Sequence, residues 1–170
     1  MRRISLETLQ IEHYLPQHPQ DENYDPALTI DYHNMLAVCS GNKKQAGVFE
    51  NLTCDQHRRN TPLTVDPLDR TLIDKIQYKT DGTIYSDDPD IEKDLDDTLN
   101  LNCPASYLKE NRKAALDTIK KVLYKRFPGK KAPKQQLERM LIHFQGLHDG
   151  QYVEFAGVVI WYLKRQIART

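Results

Sequence analysis

The chain has 170 residues, a formal net charge of zero at pH 7 and a mean hydropathy of −0.70. That length suits one ordinary domain or a small core with a helical extension and excludes two full domains, while 39% hydrophobic and 28% charged residues exclude wholesale disorder. No apolar run approaches the roughly 18 residues that span a bilayer, and Met1-Arg2-Arg3-Ile4-Ser5 lacks the apolar core of a signal peptide, so no membrane association and a cytoplasmic location are expected.

Residues 4–15 read as an extended segment with Leu6, Leu9, Ile11 and Tyr14 as its apolar positions, stopped by Pro16. Residues 17–30, polar and broken by Pro19 and Pro26, read as a long surface loop. The chain turns apolar over 31–39, closes on turn residues Ser40-Gly41-Asn42, and is loop-like from 43 to 62. Asp81-Gly82 at the centre of 76–85 marks a β-hairpin, because a tight two-residue turn needs positive φ. Helices are expected over 90–99, 104–127, 133–147 and 151–168, the last with its apolar run 152–163 as the spine of the helical part.

Charge is unevenly distributed along this order. Residues 87–97 carry Asp87, Asp88, Asp90, Glu92, Asp94, Asp96 and Asp97 against Lys93 alone, and 109–134 carry ten Lys or Arg against Glu110 and Asp117. The basic stretch is either a track for nucleic acid or a solvated helix face. Cys39, Cys54 and Cys103 are odd in number and widely spaced, which suits reduced thiols or metal ligands rather than a disulfide framework.

The residues that carry chemistry are Glu12-His13-Tyr14-Leu15-Pro16-Gln17, Asn34-Met35-Leu36 and Cys39-Ser40-Gly41-Asn42-Lys43-Lys44. A carboxylate-His pair on a strand followed by asparagines in this order resembles the HNH (ββα-metal) nucleases. With Cys54-Asp55, Asp66-Pro67-Leu68, the Asp81-Gly82 hairpin, residues 99–102 and Asn111-Arg112, the pattern is similar to the HNH component of retron and Septu-type anti-phage defence systems over most of the chain. The resemblance implies an α+β fold: a ββα-metal core over 1–70, then a β-hairpin and helical extension over 71–170 packed on it as a single compact unit.

It also implies a metal-dependent endonuclease acting on DNA or RNA beside an ATPase partner. Hydrolysis of a phosphodiester needs an activated water and neutralisation of the leaving oxygen, which one imidazole and one divalent ion supply. Adjacent strand residues point apart, so Glu12 is expected on the metal while His13, the general base, faces the phosphate. Asn42 would add a neutral oxygen ligand to Mg²⁺ or Mn²⁺. By the resemblance, Asn34 ties the loop to the strand and orients His13. Lys43, Lys44, His57, Arg58 and Arg59 are candidates for the phosphate backbone.

Members of the family commonly carry a Cys-x-x-Cys pair ahead of the Glu-His strand, which would join Cys39 and Cys54 in a four-thiolate structural zinc site. No such pair precedes Glu12 here, so Cys39 and Cys54 form a half-site for Zn²⁺, to be completed by His33 or His57 or by residues upstream of an internal start at Met1. Two other readings stay open: a non-catalytic nucleic-acid- or partner-binding module or truncated inactive homologue, and a nucleic-acid-binding protein that uses its basic helix without hydrolysis.

Overall fold

The computed structural model describes residues 4, 7–17 and 25–170; the expectations for 1–3, 5–6 and 18–24 lie outside the described residues. The fold is mixed α and β, with two small antiparallel two-stranded sheets among helices. Strand β1 (Gln10–His13) pairs antiparallel with β2 (Met35–Val38), setting Glu12 opposite Leu36 and His13 opposite Met35. Among the described residues of the extended segment expected over 4–15, these four form the strand, and Glu7 and Thr8 lie in an exposed turn. Strands β3 (Ile76–Tyr78) and β4 (Ile84–Ser86) form the second sheet where the Asp-Gly signal places it.

Helix α1 (Cys54–Arg58) lies inside the stretch that reads as loop. Five residues are too few to display a 3.6-residue period, and Thr53 supplies no side-chain cap; Asp55 in the first turn suits the positive end of the helix dipole. Helix α2 (Arg70–Ile73) is capped by Asp69. Helix α3 (Pro89–Lys93) takes Asp88 as its N-cap and continues into a π turn over Asp94–Thr98.

Contacts divide the chain into two compact units: residues 4–76 with 84–107, and residues 77–83 with 108–170. The boundary therefore differs from the expected division at 70 and 71, and its cause is polar. The buried Asp94 carboxylate accepts the backbone N–H groups of Thr64 (2.6 Å) and Val65 (2.9 Å). Cys54 N–H donates to the Leu99 carbonyl (2.7 Å), and the Asn100 amide donates to the carbonyls of Glu50 (2.8 Å) and Leu52 (2.9 Å). An unmet buried backbone group costs about 1–3 kcal/mol, so these bonds hold residues 94–100 to the first part of the chain. The acidic run is accordingly more than a solvated face: Asp88 pairs with Lys75 at 2.9 Å, and Glu92 accepts the Ser86 N–H at 2.7 Å.

The helical unit comprises α4 (Leu108–Arg126), α5 (Lys134–Gln145), α6 (Ala156–Ile167) and the hairpin tip. Its core is Leu116, Ile119, Leu137, Val158, Val159 and Leu163, with α6 contributing the apolar spine expected of it. Helix α4 begins later than the sequence suggests because Tyr107 adopts φ 55°, which breaks the run after the 3₁₀ turn Pro104–Ser106. Gly82 is required at the hairpin tip: its φ is +89°, and a Cβ there would lie 2.1 Å from the Lys109 carbonyl oxygen. Buried Arg112 donates from Nε to the Gly82 carbonyl at 2.6 Å, and Lys109 pairs with Asp81 at 2.9 Å. Among the described residues no helix is long and apolar enough to cross a membrane.

Candidate metal centre

The site forms where β1 ends and α1 begins, wholly within the unit of residues 4–76 and 84–107. Half-buried His13 has its Nε2 2.9 Å from the Thr29 carbonyl oxygen. A carbonyl only accepts, so Nε2 donates to it, and Nδ1 is the ring nitrogen outside that contact. Both anchors of this arrangement are fixed by Asn34, which is 5% exposed. Its Oδ1 accepts the Leu15 N–H (2.7 Å), and its Nδ2 donates to the carbonyls of Leu15 (3.0 Å) and Leu28 (3.0 Å). Tyr14 N–H donates to the Asn34 carbonyl at 2.8 Å. The two residues after His13 and the residue before Thr29 are thereby tied to one residue, Asn34.

Glu12, the neighbour of His13, meets a residue that the sequence reading placed only as a landmark. Its carboxyl lies near Asp55 in the first turn of α1. Burial raises the Glu12 pKa above the ordinary 4.5, and the charge and hydrogen bond of Asp55 raise it further, while His13 and Arg58 pull it down. Two carboxylates in contact cannot both ionise cheaply unless a proton or a cation lies between them. One turn further along α1, Arg58 sits 4.0 Å from Asp55. No protein-family model and no curated protein matches the chain.

The donor set of Glu12 and Asp55 suits a hard divalent ion that takes oxygen ligands and retains water. Among the described residues, no group of three or more His, Cys, Asp or Glu is arranged to hold a metal. The side-chain nitrogen of Asn42, the residue expected as the second ligand, is engaged between loops. The residue is 3% exposed at φ 64°, and its Nδ2 donates to the carbonyls of Asn51 (3.1 Å) and Ala105 (3.2 Å), which makes it a clamp between loops.

The candidate phosphate-contacting residues separate into three kinds. Lys43, Lys44 and Arg59 are exposed, with the Arg59 guanidinium 4.1 Å from the Phe49 ring centroid. His57 stacks on the same ring at 4.7 Å, and its Nδ1 donates to the Thr98 carbonyl at 3.0 Å. Arg58 is 4% exposed and unavailable to a phosphate. It donates to the carbonyls of Thr61 (2.7 Å), His13 (3.3 Å) and Tyr14, so the charge reads in sequence as substrate contact but acts as a pin between α1 and the end of β1.

Cys39 and Cys54 are brought together, with their sulfurs 3.6 Å apart. Two thiolates on one tetrahedral Zn²⁺ with bonds of about 2.3 Å lie about 3.8 Å apart, so the pair fits half of such a site. Cys103 is buried apart from them, its sulfur 3.8 Å from the carbonyl oxygens of Glu50 and Asn51.

The raised Glu12 pKa fixes the sign of a pH effect. A folded-state pKa above the unfolded value contributes stability that is present below the unfolded pKa and lost as pH rises through the folded one. In EDTA, the difference in melting temperature between wild type and Glu12→Gln is therefore expected to fall as pH rises above about 4.5. A difference that is flat or rises over that range would show that Glu12 and Asp55 do not share their site in solution.

Proposed function

We propose that the chain is a metal-dependent endonuclease of the HNH (ββα-metal) type that hydrolyses phosphodiester bonds of DNA or RNA. The observation that carries this reading is the contact of Glu12 with Asp55 beside a histidine whose Nε2 is held by a backbone carbonyl. The element order β1, β2, α1 supports it, since each element supplies or orients part of that group.

Glu12 and Asp55 would hold one Mg²⁺ or Mn²⁺. When bound, the ion neutralises charge on the phosphate and on the leaving oxygen. His13, with its proton fixed on Nε2, offers Nδ1 to take the proton of the attacking water. Asn34 keeps that ring in place through the backbone of residues 14, 15 and 28. Lys43, Lys44 and Arg59 hold the phosphate backbone, and Phe49 offers a ring face beside them. Cys39 and Cys54 would supply two of the ligands of a structural Zn²⁺. By the order of its motifs the chain acts as the effector of a retron or Septu-type defence system, with an ATPase partner.

The test is cleavage of a mixture of single- and double-stranded DNA and RNA. Activity is expected with Mg²⁺ or Mn²⁺, to vanish in excess EDTA, and to return when the divalent ion is restored. Cleavage that persists in EDTA after dialysis would remove the proposed metal role.

A further inference from the structure

The helical unit carries a cavity of about 730 Å³ at the corner where α4, the turn after it and the end of α6 meet. Four cations line it, Lys120, Lys130, Lys131 and Arg169, and no Asp or Glu is among the lining residues. In a chain whose net charge is zero, that is a local excess of positive side chains. Lys130, Lys131 and Arg169 are exposed at the rim. Lys120 lies 5.8 Å from the centre of the Tyr162 ring.

Aromatic side chains alternate with these charges. Tyr124, Phe127 and Tyr162 line the same cavity above the buried Leu123 and Leu137, and Tyr124 is 74% exposed. A ring face beside cationic groups is the combination that holds a nucleotide: the base stacks while the phosphate is neutralised. The volume lies within the range of small-molecule sites and admits a nucleotide unit.

We propose that this cavity binds one nucleotide of a single-stranded nucleic acid, with its base against Tyr124 and the neighbouring rings and its phosphate at Lys130, Lys131 and Arg169. A single strand rather than a duplex follows from the rings, because bases already stacked within a helix have no free face to offer. The site lies in residues 108–170 and stands whether or not Glu12, His13 and Asp55 form a nuclease centre.

Fluorescence anisotropy with a labelled twelve-residue oligothymidylate, in EDTA so that no strand is cut, reads the proposal directly. The substituted residues are exposed, so Tyr124→Ala and the Lys130→Gln, Lys131→Gln pair are expected to keep the far-ultraviolet circular dichroism of wild type. Tyr124→Ala should weaken single-strand binding at least ~5-fold and leave binding of a duplex of equal length unchanged. The double lysine substitution should reduce the slope of log K against log salt by about 1. Wild-type affinity in these variants, an equal loss on duplex, or thymidine monophosphate binding as tightly as the oligonucleotide would each overturn the proposal, the last by making the occupant a free nucleotide.

Discussion

His13→Ala is expected to lower the rate of metal-dependent cleavage by roughly 10²–10⁴-fold, the range that a positioned general base supplies. The ring is half-buried and its Nε2 faces the Thr29 carbonyl, so its loss leaves the Asn34 bonds to residues 15 and 28 in place. The melting temperature should therefore stay close to that of wild type, and metal affinity should survive because Glu12 and Asp55 are untouched. Wild-type rates in His13→Ala would assign the base to another group. A large fall in melting temperature would instead make the histidine part of the scaffold.

The second large effect is on stability and falls on Arg58. Arg58→Ala removes a buried guanidinium, leaves the carbonyls of His13, Tyr14 and Thr61 without that donor, and strips Asp55 of its cationic neighbour. Breaking such a buried charged arrangement costs about 3–5 kcal/mol, a large share of the stability of an ordinary domain. Urea denaturation should register the loss in the unit of residues 4–76 and 84–107. A loss below ~1 kcal/mol together with a raised KM for nucleic acid would return Arg58 to substrate contact. Burial pushes the Arg58 pKa down and the nearby carboxylates push it back up, Asp55 first among them, which is the balance a structural guanidinium requires.

These two residues mark what could be read in the sequence and what could not. Glu12 and His13 were legible because an adjacent carboxylate and imidazole on a strand is an uncommon pairing with a distinct chemical use. The hairpin was legible because Asp-Gly suits a tight turn with positive φ and few other pairs do. The short helix α1 was not, since five residues carry no period, and with it went Asp55 and the burial of Arg58. The one local signal was an acid just inside a possible helix start, next to Cys54. Asn42 shows a role that spacing does not record: its Nδ2 clamps the loops around 51 and 105. The division at 76–84 and 107–108 depends on Asp94 and Asn100 reaching back by some thirty to fifty residues, which no local pattern records.

The claim on which the rest depends is that Glu12 and Asp55 together hold one divalent cation beside His13. Titration of the full chain with Mn²⁺, followed by the electron paramagnetic resonance of the free ion, measures it without reference to any substrate. The account predicts one bound Mn²⁺ in wild type and in His13→Ala, and at least a 10-fold loss of affinity in both Glu12→Gln and Asp55→Asn. Equal Mn²⁺ affinity in wild type and Asp55→Asn would contradict it, because the pair of carboxylates would then not be where the metal sits.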